Sequence, residues 1–275
     1  MQEQYILIIG AGNMGCSLAR GLIDHGWKPS CISLCESHQP RRDQLSQLFP
    51  GTNVIASADA CPNMPAAIIL AVKPHDLPDT CMQIAASGFG SHTLYISIAA
   101  GAPMSSFKKW LGNDTQIIRC MPNTPASIGM GMTGLYADKN TSSEHKALAD
   151  SLLKAVGKTV WVDTEQQLDA VTALSGSGPA YLFYLMECIQ AAGLKLGLNK
   201  DDCYLLTLQT MLGAAQLAQQ QSDSFDCLRE NVTSRGGTTE HAIKTLEKHQ
   251  FKEAVSDAIQ AAFDRAGSIS KSFEN

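Results

Sequence analysis

Hydrophobic and polar positions fall into two regimes along this chain. Up to about residue 163, short apolar runs alternate with stretches whose apolar residues recur at helical spacing; beyond it only the helical spacing continues. The first run, Tyr5 to Ile9, passes through Gly10, Gly12 and Gly15 into a stretch with Leu18, Ala19, Leu22 and Ile23 on one helical face. Further buried-strand stretches stand at 31–35 and, each ending in small or breaker residues, at 66–77, 93–103 and 115–126, with weaker ones at 132–136 and 158–163. The alternation predicts an α/β fold, with a doubly wound parallel sheet over residues 1–163 and an all-α domain over 164–275.

The glycines between the first strand and helix form GxGxxG in the setting that gives it meaning, so the sheet is predicted to be of Rossmann type. Gly10 makes the tight turn, Gly12 admits a pyrophosphate, Gly15 lets the helix pack on the strand, and Asn13 and Met14 open the helix toward the phosphates. The second strand ends at Glu36, the position of an acid that binds the adenosine ribose hydroxyls. Arg41 and Arg42 follow, either opening the next helix on a solvated face or answering a 2′-phosphate. The cofactor is therefore NADPH or NADH, and Glu36, with no arginine directly beside it, predicts NADH used at least comparably to NADPH. Other strand ends should line the same crevice: Ala71, Val72, Lys73 and Pro74, then Ala99, Ala100 and Gly101, then Asn123. For Lys73 the plain alternative is a solvated loop cation.

Charge narrows the partners. The formal charge is −5 with no run of lysine or arginine, which leaves no footprint for nucleic acid or an acidic membrane surface and favours a small-molecule partner. No apolar run approaches the ~20 residues of a membrane span, and the start MQEQY lacks a basic signal region, so a cytoplasmic protein is expected. Nine cysteines without a CxxC pair fit a reducing compartment, and seven histidines without HxxxH or HExxH spacing predict no metal site.

In the second half, PAYLFYLMECIQAAGLKLGL is apolar on nearly every side and must be enclosed, most easily by another copy of the chain, so a homodimer is expected. Before it, LSGSGPAY (174–181) is a kink, or a small-residue passage where backbone approaches a ligand. In NVTSRGGTTEH (231–241), Gly236 and Gly237 interrupt helical flanks; either they break the helix, or they bare helix N–H groups to an anion.

Three segments together, AVKPH with RCMPNTPA, then DAVTALSGSGPAY, then VTSRGGTT, resemble the Δ1-pyrroline-5-carboxylate reductase family, in order and over essentially the whole chain. The resemblance implies reduction of pyrroline-5-carboxylate to L-proline by NADPH or NADH, a helical dimerisation and substrate domain, and dimers assembling into a decamer. It also implies a substrate site on Ser234, Gly237, Thr238 and Thr239, with Thr239 catalytic beside the ring nitrogen. Arg235 departs from the proline expected there in many relatives. Two rivals are weighed. A 3-hydroxy-acid dehydrogenase would carry a lysine in the comparable stretch Gly176 to Met186, which has none. A non-enzymatic NAD(P) sensor would show a spoiled substrate loop, and this loop keeps its glycines and hydroxyls.

Overall fold

The computed structural model describes residues 4–90, 92–221 and 223–273. Eight strands form one sheet: β1 (Ile6–Ile9), β2 (Ile32–Cys35), β3 (Asn53–Ile55), β4 (Ala67–Leu70), β5 (Leu94–Ser97), β6 (Gln116–Met121), β7 (Gly131–Ala137) and β8 (Gly157–Trp161). Their order is β3-β2-β1-β4-β5-β6-β7-β8. Strands β1 to β6 run parallel, β7 returns antiparallel to β6, and β8 lies parallel to β7. The carboxyl ends of the first six strands thus share one edge, where a doubly wound sheet binds its ligand.

Among the described residues eleven helices accompany the strands: α1 (Asn13–Asp24), α2 (Gln39–Leu48), α3 (Leu77–Ala86), α4 (Met104–Leu111), α5 (Ser143–Lys154), α6 (Gln167–Val171), α7 (Gly178–Lys195), α8 (Lys200–Gln220), α9 (Phe225–Asn231), α10 (Thr238–Lys248) and α11 (Phe251–Ser272). All four β1 residues are buried because helices cover both faces of the sheet. Ile6 and Ile8 meet Leu18 and Leu22 of α1 and Leu152 and Leu153 of α5 on one side. Leu7 and Ile9 meet Leu77 and Ile84 of α3 and Phe107 of α4 on the other, as the two-residue period of a strand requires.

The chain separates into two compact units: one runs to Ser177 and resumes at Ala262, the other is Gly178–Ala261. Residues 164–177 therefore pack with the sheet, whereas the hydrophobic pattern alone divides the chain after Asp163. Side-chain packing holds them there: Leu168 is buried, and Val171 fills the space that a side chain at Gly134 of β7 would take. The end of α11 is anchored in the same unit. Ile269 lies against Gly101, the Ser106 hydroxyl donates to the Phe273 carbonyl at 3.2 Å, and the Phe273 ring meets Trp110 edge to face.

In the second unit α7 packs on α8, where a side chain at Gly193 would press on Cys203. Yet no residue of α7 is buried by the single chain, and Phe183 and Tyr184 remain 65% and 69% exposed. Within its own unit, α7 keeps an uncovered apolar surface. All nine cysteines are free. Among the described residues no cluster could hold a metal ion and no helix is long and apolar enough to cross a membrane.

Candidate functional site

The three glycines of the first loop are required for three different reasons. Gly10 has φ +93°, which a side chain rarely tolerates, and an added Cβ would stand 2.7 Å from the Ala71 carbonyl oxygen. At Gly15 an added Cβ would stand 2.2 Å from the Gly10 carbonyl oxygen, so this glycine seats α1 on the loop. Gly12 differs from both. Its φ of −74° suits any residue, and an added Cβ meets no protein atom within 4 Å. The space beside Gly12 at the start of α1 is thus clear, and α1 carries no side-chain cap, so its first N–H groups, including those of Asn13 and Met14, point to an open position. These residues fit a dinucleotide pyrophosphate.

Beside this loop β2 ends at Glu36, whose carboxylate accepts from the His38 N–H at 3.0 Å. Of the neighbouring arginines, both half-buried, Arg41 reaches the glycine loop and Arg42 folds back on the turn after β2. Arg41 donates to the Ala11 carbonyl at 3.1 Å and lies 3.4 Å from the Cys16 sulfur, while Arg42 donates to the carbonyls of Glu36 and Ser37 at 2.8 and 2.6 Å. An acid and two guanidinium groups therefore share the ribose end. Burial, with Glu36 adding its charge, pushes the Cys35 thiol up to about 11, so this thiol under the crevice is a neutral packing group and no nucleophile.

The remaining strand ends divide by role. Lys73 is exposed at the start of a short 3-10 turn over Pro74–Asp76, and Ala71 and Val72 crowd Gly10. Ala99 is buried, Ala100 is half-buried, and Gly101 has φ +88°. Sequence places Gly101 on the cofactor; its missing side chain makes room for Ile269. Asn123 is likewise occupied within the protein. Its amide nitrogen donates to the Ser175 carbonyl at 3.0 Å and its amide oxygen accepts from the Met132 N–H at 2.8 Å. Asn123 thus ties the end of β6 to the start of β7 and to the π-helical turn Thr172–Gly176, the small-residue passage noted in the sequence. A turn of this kind inside a helix is frequent at functional sites.

Two residues escaped the sequence reading. Arg119 of β6, only 5% exposed, pairs with Glu165 at 2.7 Å, and Glu165 also accepts from the Met104 N–H at 2.6 Å. A buried arginine inside an apolar strand run was the available signal.

In the second unit the loop 234–239 leads into α10, whose N-cap is Gly237. The glycine N–H groups are already taken: Gly236 donates to the Glu240 carboxylate at 2.6 Å and Gly237 to the Ser234 carbonyl at 3.0 Å. The bare donors are instead the N–H groups of Thr238 and Thr239, which among the described residues meet no acceptor. Gly236 has φ +74°, and an added Cβ at Gly237 would stand 2.5 Å from the Ser234 hydroxyl, so the two glycines shape the turn and bring that hydroxyl against it. Lys244, 2.9 Å from Glu240, and the Gly236 N–H hold the Glu240 carboxyl below the usual range. Glu240 is the third residue of the helix reaching back past the cap, a pattern visible in the sequence but passed over. The result is a helix start with free N–H groups and adjacent hydroxyls of Ser234, Thr238 and Thr239, suited to a carboxylate.

Residues 165–269 match the family model for pyrroline-5-carboxylate reductase dimerisation, and residues 5–101 match that for NADP oxidoreductase coenzyme F420-dependent. The chain is 41% identical to the pyrroline-5-carboxylate reductase of Pseudomonas aeruginosa over 271 residues, 98% of each chain. It is 38% identical to that of Vibrio alginolyticus, covering 99% of this chain and 100% of the relative. Among solved structures it superposes on the pyrroline-5-carboxylate reductase of Coxiella burnetii with a TM-score of 0.92 at 39% identity, over 98% and 99% of the two chains. The pyrroline carboxylate reductase of Plasmodium falciparum with NADP bound gives 0.85 at 27% identity, over 98% and 99%.

Proposed function

Because this chain belongs to the pyrroline-5-carboxylate reductase family, we propose how its residues divide the work of the reaction. The protein is an oxidoreductase that reduces 1-pyrroline-5-carboxylate to L-proline with NAD(P)H, the last step of proline biosynthesis. One observation supports the assignment of residues: each unit holds a helix start with glycine at the N-cap and no side-chain cap, at Gly12 in the first and at Gly237 in the second. The first suits the pyrophosphate, held by Gly12, Asn13 and Met14, with Glu36 at the ribose and Ala71, Val72, Lys73, Pro74, Ala99 and Ala100 along the strand ends. The second suits the substrate carboxylate, held by the N–H groups of Thr238 and Thr239 and the Ser234 hydroxyl. Residues 164–275 then act as the dimerisation and substrate domain.

The chemistry asks little of the protein. Bound NAD(P)H supplies the hydride, and a protonated imine already accepts one. The chain's own contribution is to hold the imine carbon in position, where orientation supplies much of the rate. Thr239 donates from its hydroxyl to the ring nitrogen as that nitrogen becomes an amine, a general-acid role. The rival 3-hydroxy-acid dehydrogenase chemistry lacks its lysine between Gly176 and Met186. Purified protein should oxidise NAD(P)H with pyrroline-5-carboxylate and show no dehydrogenation of 3-hydroxy acids with NAD(P)+; the opposite pattern would reject this assignment.

Cofactor choice rests on the mixed charge at the end of β2. Glu36 favours ribose hydroxyls and repels a 2′-phosphate, while Arg41 and Arg42, held close by, attract it. Both cofactors should be used, and Glu36→Ser should raise the NADPH to NADH ratio of kcat/KM by about tenfold, the equivalent of roughly 1.4 kcal/mol. A ratio unchanged by the substitution would remove Glu36 from the ribose site.

The chain forms homo-oligomers. The unburied α7 and the exposed Tyr204 and Leu205 of α8 supply the apolar surface for a homodimer, and dimers assemble further into a decamer. Nine free cysteines and a charge of −5 suit a cytoplasmic enzyme with no nucleic-acid or membrane partner.

A further inference from the structure

The loop from Ile98 to Pro103, between β5 and α4, is bounded by groups remote in sequence: the Ile98 N–H donates to the Leu70 carbonyl at 3.2 Å, and Met104, just past the loop, is bonded from residue 165. Pro103 stands at the α4 N-cap and offers no side-chain cap, yet the first helical N–H, that of Met104, is satisfied by Glu165, 61 residues away, at 2.6 Å. The same oxygen, Oε1, accepts from Arg119 Nη1 at 2.7 Å. Arg119 in turn is fixed by the sheet, buried in β6 and in register with Ser97, the last residue of β5. Glu165 thus couples the rigid end of the sheet to the first residue of α4, with the loop clamped between. Behind the loop Ile269 closes the other side against Gly101.

We infer that Glu165 is a positioning residue for the cofactor: it fixes the β5-to-α4 loop, and with it Ala99 and Ala100, in the shape that receives the dinucleotide. This rests on the assignment of Ala99 and Ala100 to the cofactor crevice. A carboxylate is suited to the task for two separable reasons: its reach, which lets one oxygen accept from both donors, and its charge, which compensates a buried guanidinium. Burial raises the carboxyl of Asp169, the acid on α6, above its ordinary range.

Reach and charge can be separated by substitution. Glu165→Asp keeps the charge for Arg119 but is one methylene too short to hold the Met104 N–H. Glu165→Gln keeps the reach and the acceptor oxygen but loses the charge. Both variants of the full chain are examined by thermal unfolding, by fluorescence titration with NADPH, and by steady-state KM for pyrroline-5-carboxylate. Glu165→Asp should weaken NADPH binding by about tenfold, less than the ~100-fold that a 1 Å misplacement of reacting groups can cost. The substrate KM at saturating NADPH should stay within about twofold, since the substrate loop is untouched, and Glu165→Gln should bind NADPH within about threefold of the parent despite a lower Tm. Unchanged NADPH affinity in both variants, or an equal or larger loss in Glu165→Gln, would overturn the proposal and leave Glu165 a stabilising ion-pair partner alone. Ala100→Leu supplies the separate check on the crevice: unimpaired NADPH binding there would remove the loop from the cofactor site and take the proposal with it, whereas weakened binding confines any failure to Glu165.

Discussion

Gly12→Val should leave the protein folded and unable to bind its cofactor. The backbone at Gly12 is in the extended region, which valine favours, and nothing in the protein lies within 4 Å of the new Cβ. The side chain would instead occupy the approach to the first N–H groups of α1. Losing two charge-assisted hydrogen bonds of about 1.5–3 kcal/mol each corresponds to a drop in NAD(P)H affinity of roughly 100-fold or more. Thermal unfolding should be close to that of the parent. Gly15→Ala should do the reverse and lower Tm sharply, because its Cβ would collide with the Gly10 carbonyl oxygen at 2.2 Å. Normal cofactor affinity in Gly12→Val, measured by fluorescence titration, would place the pyrophosphate elsewhere.

Thr239→Ala should cost turnover and little stability. Among the described residues no group bonds the Thr239 hydroxyl, and α10 has no side-chain cap, so removing the oxygen deletes no structural contact. If that oxygen donates to the nitrogen during reduction, kcat should fall about 10- to 100-fold while NADPH affinity stays the same. Thr239→Ser retains the hydroxyl and should recover much of the loss. Steady-state kinetics on the two variants decides the matter: wild-type turnover in Thr239→Ala would leave the residue with its backbone N–H as its only role.

The strand, glycine loop and helix at residues 5–24 were legible because each level repeats the same message: a fully buried run, a turn with glycine at the crowded positions, and apolar residues at one helical face. The all-apolar α7 was legible for a similar reason, since periodicity reports how much surface must be hidden. Periodicity does not report which partner hides it. Periodicity likewise gives no sign that β7 turns back antiparallel to β6, beside which Asn123 bridges Met132 and Ser175, contacts 9 and 52 residues away. The substrate loop was legible from its composition. Gly236 and Gly237 pointed to bared helix N–H groups, and only the backbone path shows which they are: the glycines' own are taken by Glu240 and Ser234, leaving Thr238 and Thr239 as donors.

The last turns of α11 have a bearing on how this chain is made. Ile269 and Phe273 complete the packing around Gly101, Ser106 and Trp110, parts of the chain translated some 160 residues earlier. Domains ordinarily fold in the order in which they leave the ribosome, at about 5–20 residues per second. Here the nucleotide-binding unit emerges first but lacks its closing helical turns until the residues from Ala262 onward have followed. The helical unit, Gly178–Ala261, is a continuous segment with all its own residues out beforehand. The first part of the polypeptide to be synthesised is thus the last to be finished, its packing closed only once the residues from Ala262 onward have followed.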